Sequence, residues 1–414
     1  MNLKRPLNVF GWFAIITLEF IGIMLFTYHW SVMVGGEGIA LPDFLGKSDS
    51  YVYFDVIERN FLYGSNINHT GTYFVPLMTK VARFWGGADI VAMKSVNMIG
   101  AAVMLIAIIA TAYSVRVKNA ERDVVSIKLL LRMAIFPSAL IAVSLPFGRD
   151  VWIYTFFCLS AFCLVNFVKD GFNILWLPFL YLAITWLIKF RGYAGLSVIV
   201  GILLYFAIKY VGRRFSKLFF IVLLIGGIGI FFVWFEFFNE WKFPIVDLSL
   251  ADALNFQSGY YRNAEGEIIA QKTGGSDFMG AYNTTNFAVF LLQVIQSYAG
   301  NLVGPFPWQL TNAQSIYVFL FESAPMMYLI YRLWSKRQAF VEFLFSHNQM
   351  LALVCQAFTW WTMLALSNKN VGTGMRLKVP LFIFIWIVYY FFLESQKKKA
   401  LGESDETNHN LRNV

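Results

Sequence analysis

Long apolar runs separated by short polar turns make up most of this chain. A transmembrane helix needs about 20 mainly apolar residues, and ten segments approach that length. They are about Phe10–Val34, Ile90–Val115, Ala134–Leu145, Val151–Val168, Ile174–Ile188, Tyr193–Ile208, Phe215–Phe238, Ala313–Tyr331, Met350–Leu366 and Leu377–Leu393. The pattern predicts an all-α polytopic membrane protein with about ten transmembrane helices. It forms one helical domain over 1–400, with long extracytoplasmic loops at 35–89 and 239–312 that contain interfacial helices. In the first loop, Leu77, Met78, Val81, Ala82 and Trp85 recur at i, i+4 and i+8, with Lys80 and Arg83 off that stripe. Such spacing suits a helix lying in a membrane surface or packed on the bundle. Phe287–Ile295 is apolar but short and reads as an interfacial or re-entrant helix. Residues 401–414 are polar and are expected to form a disordered cytoplasmic tail.

Composition agrees with this reading. The 414 residues are 58% hydrophobic and 14% charged, against about 25% charged in a soluble domain. Continuous rather than alternating apolar runs argue against an outer-membrane barrel. With the N-terminus inside, every inner connection is basic: Arg116, Lys118, Arg122 and Lys128; Lys169; Lys209, Arg213, Arg214 and Lys217; Arg332, Lys336 and Arg337; and the tail from Lys397. That is the positive-inside pattern, with both termini cytoplasmic in a multi-pass inner (cytoplasmic) membrane protein. The net charge of +9 then reflects topology and anionic lipid rather than nucleic acid. The three cysteines, Cys158, Cys163 and Cys355, lie in apolar runs and have neither disulfide-framework nor metal-ligand spacing. No cofactor is expected, and no tight group of His and carboxylates calls for a metal.

Two features bear on chemistry. Asp49 and Asp55 lie in the polar stretch Ser48–Asp55 of the first long loop, on the outer side. Arg149, Lys189, Arg191, Lys369, Arg376 and Lys378 occupy tight outer turns, where the positive-inside rule does not ask for them. Cations at headgroup depth suit a phosphate or pyrophosphate. A carboxylate beside them can take the proton of an attacking hydroxyl while they stabilise a leaving phosphate. Glycosyl transfer from a polyprenyl-phosphate sugar to a saccharide or glycolipid acceptor has these requirements. Asp49 also suits a helix N-cap before Tyr51.

Several short motifs resemble the polytopic glycosyltransferases of the GT-C superfamily and related bacterial cell-surface polysaccharide proteins. They are Asp49-Ser50-x-x-Tyr53; Asn68-x-x-Gly71-x-x-x-x-Pro76-Leu77; Pro137 with Pro146-Phe147-Gly148-Arg149-Asp150; Arg376-Leu377-Lys378-Val379-Pro380; and Gly304-Pro305-Phe306-Pro307-Trp308. The resemblance implies an outward-facing site, a lipid-linked sugar donor, and inverting transfer with a loop carboxylate as base. That role carries over to Asp49 first and Asp55 second. Family members often show two adjacent acidic residues, whereas Ser48 and Ser50 flank Asp49 here.

Two rival functions fit the same pattern. One is an O-antigen or capsule repeat-unit polymerase or ligase, which shares large outer loops and outer arginines. The other is a lipid-linked saccharide flippase, which needs polar groups within the bilayer; Glu19 and Glu322 are the evident candidates.

Overall fold

The computed structural model describes residues 8–41, 47–68, 72–169, 172–211, 242–243, 248–249, 260–262, 268–270, 279, 282–283, 286–310 and 312–412. Helices dominate. Among the described residues, six are long and apolar enough to cross a membrane: Val9–Met33, Ile90–Ser114, Asp150–Phe167, Gly192–Tyr210, Asn348–Ser367 and Val379–Ala400. The expected span at 215–238 lies outside the described residues. The chain divides into two compact units. The first comprises Met1–Val198, Tyr331–Ala357 and Val379–Val414; the second comprises Ile199–Ile330 and Phe358–Lys378.

The first unit begins with α1 (Val9–Met33), whose Asn8 cap accepts from the Gly11 N–H. Then come α2 (Lys47–Leu62), α3 (Phe74–Trp85), α4 (Ile90–Ser114), α5 (Asn119–Ala134), α6 (Pro137–Ser144), α7 (Asp150–Phe167) and α8 (Leu177–Phe190). α9 (Gly192–Phe206) starts in this unit. Residues Ala134–Leu145 do not form one straight span. α5 and α6 meet at 66°, because Pro137 opens α6 and Phe136 before it is extended at φ −87°, ψ 99°, as proline demands of its predecessor. The stretch from Asn119, expected as a connection, is instead an amphipathic helix. It buries Val125, Ser126, Leu129, Leu130 and Met133 along one face.

Close packing sets the geometry around the later site. Gly100 lets α4 approach α7: a Cβ there would lie 3.1 Å from Val151 Cγ1. Thr155 Oγ1 donates to the Gly100 carbonyl at 2.8 Å, a small-residue contact of the kind that joins membrane helices. α7 meets α8 through stacked rings, Phe156 on Trp186 at 5.8 Å and on Phe190 at 5.7 Å. α3 buries Phe74, Val75, Met78, Thr79 and Ala82. Of the predicted stripe, Met78 and Ala82 therefore face protein, while Trp85 is 63% exposed.

The second unit contains the ribbons β1 (Lys242–Phe243) with β2 (Leu248–Ser249), and β3 (Tyr260–Arg262) with β4 (Ile268–Ala270), both antiparallel. α10 (Phe287–Val303) is 17 residues long and extends well beyond the apolar run Phe287–Ile295. α11 (Ala313–Val318) passes through a π-helical turn at Phe319–Ser323 into α12 (Ala324–Ser335). α13 (Arg337–Ser346) belongs to the first unit, and α14 (Asn348–Ser367) runs from the first unit into the second. α15 (Val371–Leu377) is in the second unit; α16 (Val379–Arg412) is in the first. Its backbone stays helical through residues 401–412, where polarity alone predicts a disordered tail. Lys, Glu, Gln and Ala, frequent from Glu394 onward, are good helix formers.

Candidate functional site

Four charged groups of the first unit act electrostatically on Tyr53 of α2. Tyr53 is buried, edge-on to Phe74 at 5.3 Å. Burial pushes the pKa of its phenol up; Arg149 opposes this, Asp49 and Asp150 add to it, and Arg191 opposes it. Asp49, Arg149, Asp150 and Arg191 thus share one electrostatic environment, and Tyr53 stays a neutral hydroxyl at ordinary pH.

The helices explain the convergence. α2 buries Ser50, Tyr53, Ile57 and Asn60, an i, i+3, i+7, i+10 stripe that faces the bundle. α2 begins at Lys47, so Asp49 sits inside its first turn rather than at a cap before Tyr51. A carboxylate there is favoured by the positive end of the helix dipole. Asp49 is exposed on the flank of the stripe, four residues from Tyr53. Asp55 lies two residues beyond Tyr53, about 200° round the helix. It is exposed and paired with Arg59 at 3.0 Å. The two predicted carboxylates are therefore separated: Asp49 shares the Arg149–Arg191 environment, and Asp55 faces away from it.

Arg149 and Asp150 stand at the start of α7, and two residues of α4 hold the turn before them. Lys94 is buried and donates from Nζ to the Leu145 carbonyl at 3.3 Å. Asn97 is buried; its Nδ2 donates to the Gly148 carbonyl at 3.1 Å, and its Oδ1 accepts from the Trp152 indole at 3.0 Å. Asn97→Ala leaves a half-buried carbonyl and a half-buried indole N–H without these partners. It is expected to lower unfolding free energy by about 1–3 kcal/mol, measured by thermal unfolding in detergent.

Arg191 closes the C-terminal end of α8 in extended backbone, φ −159°, ψ 102°. Its guanidinium lies over the Tyr193 ring at 4.7 Å. Its Nε is buried with no hydrogen-bond partner among the described residues, an arrangement that a ligand acceptor would relieve. Lys189 is exposed and lies over Trp186 at 4.7 Å and Tyr73 at 5.4 Å. The last carbonyls of a helix lack partners within it. Here the Tyr73 N–H donates to Lys189 O at 3.0 Å and Thr72 Oγ1 to Phe190 O at 3.2 Å. These bonds moor the α2–α3 connection beside Arg191.

Arg376 and Lys378 belong to the second unit. Arg376 is half-buried. Lys378 is not a solvated rim charge: it is 1% exposed, pairs with Glu322 at 2.9 Å, and donates to the Gly304 carbonyl at 2.8 Å. Ser323 also donates to Gly304 O, at 2.9 Å. Lys369 is likewise buried, over the Tyr282 ring at 4.3 Å. Next to these lies a polar seam. Ser297 Oγ and the Tyr282 hydroxyl both donate to Ala365 O at 2.6 Å, and Asn301 Nδ2 donates to Asn368 O at 3.0 Å. Gly374 is needed there, since a Cβ would lie 2.9 Å from Asn368 Nδ2.

Among the described residues, no group of three His, Cys, Asp or Glu side chains is placed to hold a metal. Sequence reasoning missed the Lys94–Asn97 clamp. The signal was present, because Lys94 is a cation one turn into an apolar run, and ionisable residues there deserve a named partner. No family model, curated protein or solved structure matches this chain.

Proposed function

We propose that the chain is an integral-membrane glycosyltransferase using a polyprenyl-phosphate sugar, in the manner of the GT-C enzymes it resembles, on the outer face of the cytoplasmic membrane. The observation that supports this most is that Asp49, Arg149, Asp150 and Arg191 all act electrostatically on the buried Tyr53. Asp49 takes the proton of the acceptor hydroxyl. The hydroxyl oxygen attacks the anomeric carbon, the bond from that carbon to the phosphate oxygen breaks, and the polyprenyl phosphate leaves with the bonding pair. Arg149 and Arg191 stabilise the charge that develops on the phosphate, and Lys189 lies one residue before the Phe190–Arg191 corner to draw the anion in. The sugar is inverted because the attack comes from the side opposite the leaving group.

Mass spectrometry of glycolipids from cells with and without the protein tests the reading. Loss of one sugar from an otherwise complete glycan is expected. Accumulation of a single capped repeat unit would instead mean polymerase activity, and movement of substrate without a covalent product would mean a flippase. For the donor contact, Arg191→Ala is expected to raise donor KM by about 10- to 100-fold, the equivalent of one charge-assisted hydrogen bond. Arg191→Lys keeps the charge but not the planar fork and restores affinity only in part. Steady-state kinetics over a range of donor concentration measure both.

A further inference from the structure

Outside that site, the C-terminal ends of α2 and α3 carry the largest exposed apolar side chains of their region. Leu62 is 64% exposed, Tyr63 80%, Phe84 85% and Trp85 63%. We propose that these four residues form a tip that inserts into the headgroup–acyl boundary of the bilayer, and that the lipid surface is its partner.

Three observations carry this. First, the two helix ends are held together: Arg83 Nη2 donates to Ser65 O at 2.7 Å and to Asn60 O at 3.4 Å. The four apolar groups therefore move as one element. Second, the tip is continuous with a membrane-crossing helix. α3 ends at Gly86 in the left-handed conformation, φ 77°, and the Gly87 N–H returns to Ala82 O. Asp89 then caps α4 through the Val91 and Ala92 N–H groups. Four residues separate Trp85 from Ile90, so the five steps between them span at most about 18 Å of chain. α4 has 25 residues, about 37 Å at 1.5 Å each, against a hydrocarbon core of about 30 Å. Its first turn thus lies at the headgroup layer, and the tip lies within reach of it. Third, the composition is that of an interfacial anchor. Trp and Tyr favour this depth, and Lys80 and Arg83 are exposed on the same helix to meet lipid phosphates. The buried face of α3 is its other side, against the bundle, so Met78 and Ala82 of the predicted stripe do not meet lipid, whereas Trp85 does.

The test needs no turnover, so its failure and that of the transferase reading are distinguishable. The native cysteines are buried, so Phe84→Cys, Tyr63→Cys and, as a solvent-exposed reference on α2, Glu58→Cys can each carry an environment-sensitive fluorophore. Each is reconstituted in phosphatidylcholine vesicles, with and without lipid spin-labelled near the top of the acyl chain, and unaltered protein provides the labelling background. The expected result is blue-shifted emission and strong quenching at 84 and 63, with solvent-like, unquenched emission at 58. Solvent-like emission at all three positions overturns the proposal. Shielding at 84 and 63 without lipid quenching overturns it as well, because a second copy or another protein then covers the tip.

Discussion

Asp49→Asn is expected to lower sugar transfer by roughly 10²- to 10⁴-fold, the usual contribution of a general base. Asp55→Asn should leave transfer close to that of the unaltered chain. The contrast rests on helix geometry. Asp49 lies one turn before Tyr53 and shares its environment with Arg149, Asp150 and Arg191. Asp55 lies on the other side of α2 with Arg59, in an exposed i, i+4 pair worth about 0.3–0.5 kcal/mol. Neither substitution removes buried volume, so circular dichroism and detergent-solubilised yield should be unchanged in both. Transfer to a lipid acceptor, assayed side by side, decides the matter. Equal losses in the two variants would remove Asp49 from its role, and so would normal transfer by Asp49→Asn.

Much of this corner is legible in the sequence, and the exceptions have physical causes. The polar stretch between the first two apolar runs offers both Asp49 and Asp55, Asp49 ahead of Asp55, because linear order alone does not say which residues of a helix share a face. Once α2 starts at Lys47, the 100° step between residues separates them. α5 escapes a hydropathy reading because its apolar face, Val125, Leu129 and Met133, is averaged with Glu121, Arg122, Asp123 and Lys128; its helical period is nonetheless there. Lys94 is hidden for the opposite reason, as a single cation diluted by the apolar residues around it. The partners of Lys94 and Asn97 are hidden too, since the Leu145 and Gly148 carbonyls that α4 holds are main-chain atoms with no signature in sequence. Lys378 shows the limit of reading charge from position: a cation next to a predicted outer turn is buried against Glu322, a residue 56 positions earlier.

That ion pair yields the second large effect. Glu322→Ala and Lys378→Met, made singly, are each expected to destabilise the protein by about 3–5 kcal/mol, because each leaves an uncompensated buried charge. The two side chains are 0% and 1% exposed and 2.9 Å apart, so water cannot screen the charge left behind. Lys378 also donates to Gly304 O, and Ser323 remains to satisfy that carbonyl when Lys378 is removed. The double variant Glu322→Leu with Lys378→Met removes both charges and fills the space with apolar atoms. It should be more stable than either single variant, since replacing a buried pair by hydrophobic groups is often neutral. A double-mutant cycle of thermal unfolding in detergent measures the coupling. The pair sits where α12 leaves a π-helical turn, in the unit that also holds α10 and α15, and π turns often recur at functional positions. The transport reading requires Glu322 to carry a mobile proton, whereas a structural pair requires only that both charges persist together. Restored stability in the double variant with transfer retained assigns the pair to architecture. Restored stability with all activity lost would bring Glu322 back as a working carboxylate.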